Sequence, residues 1–169
     1  MPQGLKQTSS VVTVGFSVDE TAANTFTEGV TDLNLSPLDR EVFVVLAINM
    51  DPFYPEGVPG TDTDVSASLT STSQTRVTNL SNPNCLAAAV DSIKAAGFVD
   101  GGVGFQTRLE TPPANLDYIG IIATNDFFVQ VEGQGNGLPK GVDGKIYGYR
   151  ARAEASIYAA LVQSEALSA

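Results

Sequence analysis

The chain contains no histidine and no tryptophan, and its single cysteine is Cys85. Histidine is the side chain best suited to proton transfer near neutral pH and the commonest metal ligand. Its absence removes Ser-His and Cys-His catalysis and the usual zinc sites. One cysteine excludes an intrachain disulfide and any thiolate cluster, and without tryptophan no indole can stack on a sugar ring. Positive charge is scarce as well. Nine Lys and Arg stand against nineteen Asp and Glu, giving a formal charge of −10. Such a balance repels phosphate backbones, so direct nucleic-acid contact is disfavoured. Lys6 is the only base before Arg40, so residues 1–10 offer no basic arm.

Long apolar runs are missing too. The longest, Val42 to Ile48, has the length of a strand and falls far short of the roughly 20 residues of a membrane span. The first residues lack the charged leader and apolar run of a signal peptide. At 169 residues the expected organisation is one domain over 1–169, with a loose segment at 1–10 and a tail at 156–169.

What remains is rich in Ser, Thr, Gly, Ala and alternating apolar residues. Val11–Val18 reads as a first strand, and Glu41–Met50, apolar on both faces, as a central strand covered on each side. Asp51–Gly60 holds three prolines and two glycines and is expected as an exposed loop. Asp64–Thr78 is the longest clean alternation. Val65, Ala67, Leu69 and Val77 share one face; Ser66, Ser68, Thr70, Thr72, Gln74, Arg76 and Thr78 share the other. A hydroxyl face of that kind meets water or packs on an identical neighbour without desolvating charge.

Between Asn82 as an N-cap and Gly97 as a C′ residue, Leu86, Ala89, Val90, Ile93 and Ala96 fall at helical spacing, which predicts a short helix over 83–96. Further strands are expected at 103–110, 118–123, 127–132 and 145–155. The tail from Ser156 reads either as a short helix or as a docked arm. Seven or eight strands with one short helix predict a mainly β domain, an antiparallel β-sandwich or single jelly roll.

Few residues suggest chemistry. Asp51, Glu56, Asp62 and Asp64 are candidate calcium ligands, although turns use acidic residues in the same way. Gly133–Lys140 is glycine-rich but lacks Walker spacing. Glu110, Asp117 and Asp126 read as strand-end carboxylates rather than a glycosidase pair. Cys85, at the start of the expected helix, stands where a helix dipole lowers a thiol pKa, but it has no histidine partner. Tyr147, Tyr149, Arg150 and Arg152 are interface-type residues, and with Ser66, Ser68, Thr70, Thr72, Gln74 and Arg76 they are candidate subunit contacts. No catalytic residue and no cofactor beyond calcium is expected.

The segments Leu38-Asp-Arg-Glu-Val-Phe-Val-Val-Leu46, Leu116-Asp-Tyr-Ile-Gly-Ile-Ile-Ala-Thr124 and Lys145-Ile-Tyr-Gly-Tyr-Arg-Ala-Arg152, set among Pro/Gly loops, resemble the small jelly-roll coat proteins of icosahedral viruses. The resemblance covers the general pattern of residues 9–155 and rests on no diagnostic motif. It implies a non-enzymatic virion protein that assembles with copies of itself and with other shell proteins. Lacking a basic arm, such a subunit would face an internal membrane, another shell layer or the outside rather than naked nucleic acid. The other reading is a non-catalytic binding module, a carbohydrate-binding or appendage-type sandwich.

Overall fold

The computed structural model describes residues 1–97, 105–110 and 116–168. Ten strands and one helix are found among them: β1 Leu5–Gln7, β2 Val12–Asp19, β3 Thr27–Asp32, β4 Glu41–Pro52, β5 Thr63–Thr70, β6 Cys85–Lys94, β7 Phe105–Glu110, β8 Gly120–Ile122, β9 Asp126–Gln134, β10 Gly141–Ala153 and α1 Ala155–Ser168. They form two antiparallel sheets. Sheet A runs β2-β10-β4-β8, with β1 alongside the far end of β10; sheet B runs β3-β9-β5-β6-β7.

The pairing has a mirror order. β2 pairs with β10, β3 with β9, β4 with β8 and β5 with β6. The chain is thus one long hairpin whose tip lies between β5 and β6. Wound around itself, the hairpin closes each sheet through β10·β4 and β9·β5. This is the jelly-roll connection, and β1 and β7 are additions to it.

Side-chain alternation places the core between the sheets. Phe43, Val45, Ile48 and Met50 of β4 face Val65, Ala67, Leu69, Val129 and Val131 of sheet B. Phe16 and Phe127 meet edge to face across the gap, with centroids 5.9 Å apart. The other side of β4 is also covered. Val42 and Val44 lie with Tyr149, Ala151 and Ala153 under Ile157, Tyr158, Leu161 and Val162 of α1. That double burial explains the unbroken apolar run of β4.

Two expectations are corrected. Residues 83–96 form no helix; Cys85–Lys94 is strand β6, hydrogen-bonded between β5 and β7. The Asn82 side chain, read as an N-cap, instead accepts the Asn84 amide at 2.9 Å in an Asx turn, and its carbonyl takes the Cys85 amide. Among the described residues the one helix is the tail, α1. Residues 5–7 of the segment expected to be loose form β1, with Leu5 buried. The glycines at 101, 102 and 104 lie outside the described residues, as does the start of the strand expected at 103. No helix among the described residues is long and apolar enough to cross a membrane.

Candidate functional site

The polar chemistry of the molecule is concentrated in two hydrogen-bonded networks. The first lies on the outer face of sheet B. Gln130 interrupts the apolar series of β9 between Val129 and Val131, both inward-facing, and its amide is fully buried. Its oxygen accepts from the Ser68 hydroxyl at 2.6 Å; its nitrogen donates to Thr70 and to the Glu28 carboxylate, each at 2.8 Å. The loop 71–84 then folds over this face. The Ser73 hydroxyl and the Gln74 amide donate to Glu28, the Thr78 amide donates to the Ser68 hydroxyl, and Thr72 accepts from Asn84 and Gln74.

This accounts for the hydroxyl stripe. Strand β5 ends at Thr70 rather than continuing to Thr78. Ser68, Thr70 and Thr72 are buried beneath loop 71–84 and face their own chain. Gln74 is half-buried in the same network, Ser66 is half-buried at its margin, and Arg76 is exposed in the loop. Only the last two remain accessible in a way that suits outside contact.

The second network braces the loops at one end of the sandwich. The Glu20 carboxylate, itself buried, accepts the amides of Gly133 at 2.6 Å and Thr25 at 3.1 Å. Glu56 accepts the amides of Gly137 and Leu138 and lies 3.6 Å from the Lys140 ammonium. The Gly137 bond, first, and the nearby Lys140 hold the Glu56 carboxyl below its ordinary range. Asp62 accepts from Ala95 and Ala96, whose amides lower its pKa. Asn136 is the hub: it accepts the Glu56 amide, donates to the Asp64 carbonyl and exchanges two bonds with Asn24. Loops 20–26, 53–62 and 135–140 are thereby locked together. Phe53, Tyr54 and Leu138 are exposed on them.

The four calcium candidates therefore do different things. Both oxygens of Glu56 are engaged by amides, and Asp62 caps the end of β6. Asp64 is half-buried, and burial pushes its carboxyl up. Asp51 stands opposite Asp143 on sheet A. Among the described residues no three His, Cys, Asp or Glu side chains converge as a cation site would require. Cys85 lies on a strand, without a helix dipole, and burial raises its thiol pKa. Asp117 is exposed and Asp126 half-buried; the Glu110 side chain lies outside the described set.

The β10 candidates divide by face. Tyr149 is buried beneath α1, where desolvation and then Tyr118 push its phenol up. Arg150 is spent internally: it donates to the carbonyls of Leu33 and Asn34 and lies 3.6 Å from Glu41. Arg152 is exposed beside Asp39 at 3.4 Å. Tyr147 is half-buried, level with Thr13 and Ala47. These residues lie on sheet A and the hydroxyl set on sheet B, so the two candidate groups are not one surface.

Sequence reading did not find the braces made by Glu20, Asn24, Glu28, Gln130 and Asn136. The one signal was Gln130, a polar residue inside an apolar strand. No family model matches the chain, and no curated protein matches it. Among solved structures it is similar to a chain of Desmodium yellow mottle tymovirus, 14% identical, with 92% of this chain and 96% of that chain covered and a TM-score of 0.28. The jelly-roll assignment stands on the strand order itself.

Proposed function

We propose that the protein is a structural subunit that assembles with copies of itself into a closed shell, as a virion coat protein does. The observation that carries this reading is the braced end of the jelly roll. Three loops are fixed to one another by carboxylate and amide bonds, and they present Phe53, Tyr54 and Leu138 to the outside. Loops spent on rigidity, with exposed apolar tips, suit packing against neighbours better than chemistry. The carboxylates Glu20, Glu56 and Asp62 on these loops are occupied in holding backbone, and no histidine is present to move a proton. Ser66, Arg76, Tyr147 and Arg152, the accessible members of the two candidate sets, are further contacts in this reading, and the shell's place is the virion.

Many modest interfaces give a closed shell its cooperative stability. A subunit of charge −10 must overcome mutual repulsion to build them. Assembly is therefore expected to strengthen with salt or divalent cations, which screen it. Size-exclusion chromatography with light scattering across salt and calcium tests this: trimers, pentamers, hexamers or particles support the reading, and a monomer in every condition overturns it.

One observation favours the binding module as a second reading. Gln74, Arg76, Thr78, Asn79, Ser81 and Asn82 line a recess of about 580 Å³ in the loop over sheet B. Its amides and hydroxyls match the chemistry of a sugar, and a glycan array with an Arg76→Ala control separates this reading from the first.

A further inference from the structure

The exposed edge of sheet A carries one more inference. Strand β2 pairs with β10 on one side and with no strand on the other. The register and one flanking bond fix which backbone groups are free. The Glu20 amide donates to the Lys140 carbonyl at 2.8 Å, next to the pair Asp19↔Gly141. Antiparallel ladders alternate, so Val18, Phe16, Val14 and Val12 direct their amides and carbonyls to β10. Those of Thr13, Gly15 and Ser17 point away from the sheet. Among the described residues they meet no other element, and all three are exposed.

Edges of this kind are normally protected by charge, proline or shortness. The other edges here fit that rule: β3 carries Glu28 and Asp32, β7 carries Arg108 and Glu110 in its sequence, and β8 has three residues. β2 is eight residues long, has no proline and carries a single charge, Asp19, at its last position. From Gln7 to Val18 there is no charged residue and no proline. In a chain of charge −10, this is a strip along which two copies can approach without like-charge repulsion.

We propose that β2 pairs with β2 of a second copy, antiparallel, about a two-fold axis at Gly15. Gly15 then lies opposite Gly15 of the second copy, and Thr13 opposite its Ser17. The outward parity of these residues makes each a hydrogen-bonded pair, giving about six backbone bonds across the axis. Sheet A becomes continuous through both copies. On the outer face the side chains brought together are hydroxyls and hydrogens; on the inner face the same register sets Val14 opposite Phe16 and Val12 opposite Val18 of the second copy. Asp19, the strand's one charge, lies toward an end, away from its own copy. The pairing names a contact within the self-assembly reading, and it rests on that reading only for its place in a shell.

The test is cross-linking in a Cys85→Ser background. Paired Cα atoms at a hydrogen-bonded position lie about 5.5 Å apart, within disulfide range. A Cβ at Gly15 meets only the Gly144 carbonyl, at an ordinary 3.9 Å. Gly15→Cys is therefore expected to give a disulfide-linked dimer under mild oxidation. Thr13→Cys alone is not, since its two copies would stand roughly 14 Å apart along the strands. Thr13→Cys mixed with Ser17→Cys links the two. No dimer with Gly15→Cys, or equal yields with Gly15→Cys and Thr13→Cys, overturns the pairing. Gly15→Pro removes an outward amide and no internal bond, and is expected to abolish the association while leaving the circular dichroism unchanged. Light scattering of the same samples separates the two readings. Particles without the Gly15→Cys disulfide overturn the edge pairing and leave the shell standing. A disulfide dimer with nothing larger upholds the pairing and overturns the shell.

Discussion

Asn24 and Asn136, 112 residues apart, hold each other through two hydrogen bonds: the Asn24 side-chain nitrogen donates to the Asn136 carbonyl at 2.7 Å, and its oxygen accepts the Asn136 amide at 2.9 Å. A side-chain amide thus imitates a strand partner and ties two loops. The Asn136 side chain is the more consequential of the pair, because it is buried and serves the Glu56 amide and the Asp64 carbonyl. Asn136→Ala is expected to cost about 2–4 kcal/mol by leaving those groups unpaired. Asn24 is exposed and has a φ of 56°, which glycine adopts freely. Asn24→Gly should cost about 1 kcal/mol, since water can replace the lost bonds. Denaturant unfolding of both variants checks the order; equal losses would contradict it.

Gln130 is fully buried and joins Ser68, Thr70 and Glu28. Gln130→Leu keeps much of the volume but strands three partners, so a loss of about 2–4 kcal/mol is expected. Because the network also seats loop 71–84, faster proteolysis within that loop should accompany it. A stability unchanged within error would show that the loop holds without this side chain.

Two carboxylates should titrate with opposite effects on stability. Burial pushes Glu165 up, against the pull of the Ala123 and Thr124 amides it accepts. The folded protein therefore takes up that proton more readily than the unfolded chain. Glu165's contribution is fullest below the ordinary carboxylate range and is lost as pH rises through its raised value. Glu56 is held low, so its contribution is present above that range and is lost as pH falls through its folded value. Relative to Glu165→Gln, the wild type should gain stability between pH 7 and about 4; relative to Glu56→Gln, it should lose it. Unfolding curves at several pH values give both slopes, and parallel slopes would refute the assignment.

Gly144 lies in β10 where an added Cβ would overlap the Asn49 carbonyl and the Phe16 ring, while at Gly57 nothing lies within 4 Å. Gly144→Ala is expected to cost about 1–3 kcal/mol from overpacking, and Gly57→Ala to stay within about 0.5 kcal/mol. Thermal midpoints of the two variants measure the contrast.

Much of the fold was legible where one physical signal dominates. Val42–Ile48 reads as a doubly covered strand because both of its faces are apolar, and both are buried. The misplaced helix has a physical cause. Ala87-Ala88-Ala89 favours helix locally, and four-residue apolar spacing from Leu86 to Val90 agrees with it. The open sides of β5 and β7 override both, since Ala87 and Ala89 are small enough to sit in the core as strand residues. The hydroxyl stripe carried no sign that its own loop would cover it, because that depends on Gln130 and Glu28, distant in sequence. Tertiary hydrogen bonds of this range leave no periodicity to read.

The mirrored winding also sets an order of events for the nascent chain. Val12 meets Gly148, whereas Thr70 meets Cys85. Strand β10, the last to be synthesised, is inserted between β2 and β4 in the finished sheet A. Until it leaves the ribosome, the backbone edge of β4 that will pair with β10 has no partner, and the local steps open among the described strands are the β5–β6 and β6–β7 pairings. Folding is therefore expected to be slow and largely post-translational. A chain that exposes such a strand during synthesis depends on whatever shields it in the cell.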